Sequence, residues 1–260
     1  MENDFAGKGV LVSGGTSGIG FAIAKMLARR SAVVAISGRT AETGEAAAAQ
    51  LREISDGCFY VQAHASDAAS AAASVSVAAE RMEKLDVLVS AGAYGSVGPA
   101  LFADMTPDQI ESSFRERLLA KIFPVHAAIP YLRKSGAAAI VMITTDAARH
   151  PTPGESVIGG VGAAIILLTK ALARELSRDA IRVNSVALTL TSDTPAWDRM
   201  FSKPGFGNDL FSKALARFPQ GRPPNADEVA EAAAFLASTA ATQVTGQTIS
   251  VNGGLSFGGW

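Results

Sequence analysis

Three glycines near the start of the chain, Gly14, Gly18 and Gly20, have the spacing to wrap an anion. They lie in Val12-Ser13-Gly14-Gly15-Thr16-Ser17-Gly18-Ile19-Gly20, after a short apolar run and at the head of a segment with helical period. A strand, a glycine turn and a helix in that order hold a pyrophosphate. Gly14 permits the tight turn, Gly18 lets the backbone pass close to the phosphates, and Gly20 lets the helix pack closely on the sheet. The unpaired N–H groups of the first helical turn then face the anion. Thr16, Ser17 and Ile19 complete the candidate cofactor turn. Its Gly-x-x-x-Gly-x-Gly spacing is one residue longer than the simplest fingerprint. A glycine cluster can also serve packing alone; the strand before it and the helix after it are what point to a dinucleotide.

Further along, Ile36-Ser37-Gly38-Arg39-Thr40 closes the second strand. An acid there would hold the ribose diol of NAD, and none is present. Arg39 is placed to pair with a 2′-phosphate, so NADP(H) is expected in preference to NAD(H); the alternative is a solvated arginine at a helix start. Ser90-Ala91-Gly92 ends the fourth strand, with Tyr94 just beyond. Thr144-Thr145-Asp146-Ala147-Ala148-Arg149-His150 ends the fifth. Open α/β sheets bind ligands at such strand ends, so Thr145, Tyr94, Asp146 and His150 are candidate acid–base or orienting groups. The alternative is a polar loop with ordinary hydrogen bonds. Arg117 and Lys121, four apart on one helix face, could hold an anionic substrate or a partner's carboxylate, or form a solvated or intersubunit ion pair.

The elements that would position these groups alternate at βαβ spacing. Strands are expected at 9–13, 33–37, 58–63, 85–90, 138–144, 182–187 and 248–251. Helices are expected at 18–29, 40–55 with Thr40 as a cap, 68–83 with Asp67 at the mouth, 106–132, 158–177 and 227–237. Thr106-Pro107-Asp108-Gln109 reads as a cap, a proline at the first helical position and an acid in the first turn. The fold class is therefore α/β: a Rossmann fold, doubly wound, with a seven-stranded parallel sheet covered by helices on both faces. Residues 1–260 are expected to form one domain. The polar 192–224 stretch, with Trp197, Phe201, Phe206, Phe211 and Phe218, is expected to form a lid or substrate loop.

Composition narrows the function classes. Charged residues make up 18% of the 260 positions and the net charge is -1. No basic field is present for nucleic acid. One cysteine, Cys58, permits no internal disulfide and suits a reducing compartment. Met1 to Gly9 hold no long apolar run of the signal-peptide kind. The most apolar window, Val157 to Leu168, is too short to span a bilayer. The expectation is a cytoplasmic protein with no nucleic-acid or membrane partner.

With the glycine turn, Ser90-Ala91-Gly92, Ile181-Arg182-Val183-Asn184 and the terminal stretch Val244 to Gly254, the chain resembles the classical short-chain dehydrogenase/reductase family from about Lys8 to Gly254. In that family a tyrosine handles the substrate proton and a lysine four residues later lowers its pKa and holds the nicotinamide ribose. A serine orients the substrate oxygen, and an asparagine anchors a water relay. The resemblance sets Ile158 at the tyrosine position, Gly162 at the lysine, Thr145 at the serine and Arg117 at the asparagine. It also sets Ser90, His64, Leu188-Thr189 and Asn252 at positions where the family usually carries Asn, Asp, Pro-Gly and Asp.

Isoleucine has no proton to transfer and glycine no charge. The expected function is an NAD(P)-binding, oxidoreductase-like protein without ordinary carbonyl reductase activity, such as a non-catalytic subunit. The alternatives are an active oxidoreductase with relocated acid–base groups acting on an apolar or acyl-type carbonyl or alcohol, and a non-redox isomerase, hydratase or lyase. By the same resemblance the helices near 114–132 and 158–177 form the subunit interface. A homodimer or homotetramer, or a hetero-oligomer with an active relative, is expected.

Overall fold

Val10, Leu11 and Val12, and Val34, Ala35 and Ile36, are fully buried, which requires cover on both faces of the strands that carry them. The structure, a computed structural model, describes residues 3–93 and 95–257. In chain order the elements are β1 (Gly9–Ser13), α1 (Gly18–Arg29), β2 (Val33–Gly38), α2 (Ala41–Arg52), β3 (Phe59–Gln62), α3 (Ala68–Arg81) and β4 (Val87–Ser90). There follow α4 (Pro107–Phe114), α5 (Ala120–Leu132), β5 (Ala138–Thr145), α6 (Ser156–Glu175), β6 (Ile181–Leu188), α7 (Pro195–Phe201), α8 (Phe206–Leu215), α9 (Ala226–Ala237) and β7 (Thr248–Val251).

The strands form one seven-stranded sheet in the order β3-β2-β1-β4-β5-β6-β7, and every pairing is parallel. Alternate side chains feed two cores. Val10, Val12, Val34, Ile36 and Val89 pack with Ile23 and Leu27 of α1, Leu51 of α2 and Val229 and Leu236 of α9. Leu11, Leu88, Ile140 and Met142 pack with Val75 of α3, Val125 and Leu132 of α5 and Val161 and Ile165 of α6. Strand order reverses between β1 and β4, which are neighbours in register from Val10↔Val87 to Ser13↔Ser90. At such a switch point the connections leave in opposite directions and a crevice opens beyond the strand ends.

Thr106 caps α4 in a reciprocal capping box with Gln109, and Pro107 opens the helix. Asp67 caps α3 by accepting from Ser70 N. Two expectations need correction. Thr40 flanks α2, but its side chain makes no capping bond. The single helix expected over 106–132 is two α-helices joined by a π-helical turn, Arg115–Leu119. Pro124, inside α5, has no N–H for the carbonyl of Ala120 four residues back, so the helix start departs from regular bonding. The 192–224 segment carries α7 and α8 and closes on a bridge between Ser192 and Asn225.

Candidate active site

The glycine turn is built by contacts that exclude side chains. Gly14 (φ +76°) and Gly18 (φ +54°) are left-handed. A Cβ on Gly14 would lie 2.5 Å from Gly92 Cα, and one on Gly20 would lie 2.1 Å from the Gly14 carbonyl oxygen. Gly20 thus serves closure of the turn itself, where the sequence suggested packing on the sheet. Gly14 and Gly15 N–H both donate to Ser37 O, at 2.9 and 3.1 Å, and Thr16 rests on Gly38. Ser17 precedes α1 without a capping side-chain bond, which leaves the first-turn amides to an incoming anion. Ser13 Oγ is buried beneath the turn with no hydrogen-bond partner among the described residues, and Pro195 and Thr194 face Gly18. A cradle that a Cβ would fill, open first-turn amides and an orphaned hydroxyl together fit a dinucleotide pyrophosphate. Ile19 is half-buried behind the turn, and Arg39 is exposed just past β2.

At the other end of the crevice, Thr145 ends β5 and its hydroxyl accepts from Ala147 N at 3.2 Å. Ile158 is half-buried on α6 and Gly162 is buried. A Cβ at Gly162 would lie 2.7 Å from Thr145 Cγ2 and 3.0 Å from Ala148 Cβ; one at Gly159 would lie 2.6 Å from Ala147 O. These glycines let α6 close onto the 145–148 turn, and no side chain fits between. Asp146 turns away from this face. Its carboxylate accepts from Ser250 Oγ at 2.7 Å and Asn252 Nδ2 at 2.6 Å, with Arg149 at 3.9 Å. It ties the β5 loop to the C-terminal segment. His150 Nε2 is buried without a hydrogen-bond partner among the described residues. Tyr94 lies outside the described residues. The structure therefore brings Thr145 and Gly162 together and sets Asp146 on a different network.

Lys121 is buried rather than solvated, and Arg117 is half-buried. Arg117, in the π-helical turn, donates to Val97 O, and its Nε has no partner among the described residues. Lys121 is 6% exposed and donates to Gly92 O at 3.0 Å. Burial, and secondarily Arg117, lower its pKa from 10.5 to about 7. Glu155 precedes α6, and burial raises its pKa while Arg117 opposes the rise. Sequence reasoning passed over Glu155; a lone acid between Pro153-Gly154 and an apolar helix was the available signal.

The lowered Lys121 pKa fixes a sign. Between about pH 7 and 10.5 the unfolded chain holds a proton that the folded one has released, so stability rises with pH through that window. Each unit is worth at most about 1.4 kcal/mol. Urea melts of the wild-type protein and Lys121→Met at pH 6.5 and 8.5 are expected to show the wild type gaining on the variant at the higher pH. A pH-independent difference would refute the buried-lysine titration.

Known proteins match the chain over nearly its whole length. The family model described as enoyl-(acyl carrier protein) reductase matches residues 14–256. The chain belongs to the short-chain dehydrogenase/reductase family. It is 28% identical to the 2,5-dichloro-2,5-cyclohexadiene-1,4-diol dehydrogenase of Sphingobium indicum, over 99% of this chain and 100% of that protein. It is 31% identical to the 3-oxoacyl-(acyl-carrier-protein) reductase of Chlamydia muridarum, over 98% and 100% respectively. A solved short-chain oxidoreductase from Pseudomonas aeruginosa, described as containing an atypical catalytic center, superposes with a TM-score of 0.87 at 28% identity, over 96% of this chain and 97% of that one.

Short-chain dehydrogenases/reductases are oxidoreductases that generally bind NAD(H) or NADP(H) and are typically dimers or tetramers. Within this short-chain dehydrogenase/reductase, the helix that bears Ile158 and Gly162 is also the one helix, among the described residues, long and apolar enough to cross a membrane by length and composition alone. It packs against β5 and β6 instead. Its outward side carries Gly160, Ala163 and Leu167, the last 68% exposed.

Proposed function

We propose that the chain binds a nicotinamide dinucleotide in the crevice beyond β1 and β4, with NADP(H) preferred, and that it does not perform tyrosine-dependent carbonyl reduction. One observation carries the second half of that reading: Thr145 Cγ2 and Ala148 Cβ occupy the space behind Gly162, so the position set for the family's lysine has no room for one. When bound, the dinucleotide supplies a hydride donor or acceptor. The chain's own residues bind and orient it: Gly14, Gly18 and the first-turn amides take the pyrophosphate, Arg39 the 2′-phosphate, and Ser90-Ala91-Gly92 the nicotinamide end. Thr145 is left to orient an oxygen. The protein then acts as a non-catalytic member, cytoplasmic, assembled as a homodimer or homotetramer or beside an active relative. The 192–224 segment serves as a lid over an apolar or acyl-type ligand; Phe206 rests against Gly154.

A second reading, an active oxidoreductase with relocated acid–base groups, is favoured by the unpartnered Nε2 of His150. A group of that kind, with Tyr94 or Asp146, would have to carry the proton.

Calorimetric titration with NADP⁺ and NAD⁺ tests the binding half. NADP⁺ is expected to bind more tightly, and Arg39→Ala to erase the difference. Equal affinities, or tighter NAD⁺, would reject Arg39 as the 2′-phosphate partner. Light scattering at micromolar concentration is expected to give a dimer or tetramer, since Leu167 and the 41% exposed Phe114 lie on helices expected at the interface. A monomer would overturn the assembly.

A further inference from the structure

The end of β4 is fastened to the start of α5 from both sides. Ser90 Oγ donates to the backbone carbonyl of Lys121 at 2.9 Å, and Lys121 Nζ donates to the carbonyl of Gly92 at 3.0 Å. The carbonyl of Ala120, which has no N–H from Pro124 to accept, faces the same point, 3.3 Å from where a Cβ on Gly92 would be. Gly92 in turn packs on the glycine turn: its Cα would be 2.5 Å from a Cβ on Gly14. Ala91 N–H donates to Ser13 O at 3.0 Å. Any movement of Gly92 is therefore felt by the loop that receives the phosphates.

We propose that Lys121 is a positioning residue for the dinucleotide: by holding the Gly92 carbonyl it seats the end of β4 on the glycine turn, and it couples cofactor affinity to its own protonation. The inference rests on the dinucleotide-binding reading above. The physical reason is an imbalance. A buried ammonium has three donors, and among the described residues Gly92 O is the acceptor it meets. Charge there is costly while the crevice holds no anion. A bound pyrophosphate brings negative charge over the turn that Gly92 touches, which favours the ammonium form. Binding therefore draws in a proton, and affinity falls as pH rises above about 7, the value at which Lys121 loses its charge.

The neighbouring charges are few. Arg117, one turn back, opposes the ammonium. β4 carries no ionisable side chain. Beside α3, where Ala65 abuts Gly92, stand the exposed His64 and Asp67.

The test is calorimetry with NADP⁺ from pH 7 to 9, in two buffers of different ionisation enthalpy, on the wild type, Lys121→Met and Lys121→Gln. The 2′-phosphate, with a second pKa near ~6, is ionised throughout that range. The wild type is expected to lose about tenfold in affinity across it and to take up a proton on binding. A charged hydrogen bond is worth ~1.5–3 kcal/mol, so Met is expected to bind about tenfold more weakly at pH 7. Its profile should be flat, with no Lys121 proton uptake. Gln, which keeps a donor without a charge, is expected to recover affinity while its profile stays flat. A Met or Gln variant with the wild-type affinity and pH slope would overturn the coupling.

Amide hydrogen exchange of the unliganded proteins separates the failures. Protection at Gly14, Gly15 and Ala91 is expected to drop in Met, with β6 unchanged. If the wild type binds neither dinucleotide, the proposed function fails. Equal protection at those amides then overturns the clamp on its own ground.

Discussion

Assayed with NADPH and NADH against ketones, β-ketoacyl thioesters and quinones, the purified protein is expected to turn over far below the ~1 s⁻¹ that marks the low end of ordinary enzymes. General acid–base help is worth ~10²–10⁴-fold, and Ile158 has no proton to give. Thr145 keeps a hydroxyl, but it already accepts from Ala147 N and has no neighbouring cation at Gly162 to tune it. The double variant Ile158→Tyr with Gly162→Lys is expected not to restore turnover. A Cβ at Gly162 would already sit 2.7 Å from Thr145 Cγ2, and forcing a side chain into such a site costs ~1–3 kcal/mol and shifts the helix. Wild-type turnover at or above ~1 s⁻¹ would sink the non-catalytic reading and direct substitution to Tyr94 and His150.

Removal of the Asp146 carboxylate is expected to be the most destabilising single change in this region. Asp146 is 3% exposed and accepts from Ser250 and Asn252 across more than a hundred residues of chain. Asp146→Ala removes the acceptor of Ser250 Oγ, takes one of the acceptors of Asn252 Nδ2, which keeps Ser256, and leaves Arg149 without its carboxylate. Breaking one side of a buried charged network costs ~3–5 kcal/mol, which for a chain of this size lowers Tm by roughly 6–20 °C at ~2–4 °C per kcal/mol. A thermal melt of Asp146→Ala within about 2 °C of wild type would show that the network does not hold the C-terminal segment. Should a substrate be found, Asp146→Asn separates two roles. A loss of kcat at unchanged Tm would mark a catalytic carboxylate, and a parallel fall in stability the structural tie.

The parallel sheet was legible because most strands are short apolar runs separated by segments of helical period. Thr106-Pro107 and Asp67 announced their caps chemically. The glycine turn was legible in position, yet the reason for Gly20 was not, since its constraint comes from the carbonyl of Gly14 and not from the sheet. The break at Arg115–Leu119 escaped because periodicity is nearly blind to a single extra residue in a helix; Pro124 was the local sign. Asp146 and Lys121 show the harder limit. One lies next to Thr145 in sequence and turns to the far C-terminus. The other looks like a surface lysine four residues from an arginine and is buried against Gly92. In both cases a tertiary partner decides the role, and spacing along one element carries no record of it.

The parallel register also bears on how the chain reaches this state. No two neighbouring strands can be joined by a tight hairpin: Val10 pairs with Val87, and Ser185 with Thr248. Each pairing must close a long loop before its contacts reward it, and such topologies acquire their structure slowly. β7 follows the other strands in sequence, so in a newly made molecule all of β6 stands as the sheet edge until the shorter β7 docks on Ser185–Leu188 and becomes the edge in its turn. The bare β6 edge is a ready template for another chain. During refolding, yield is therefore set by concentration in the interval before β7 arrives.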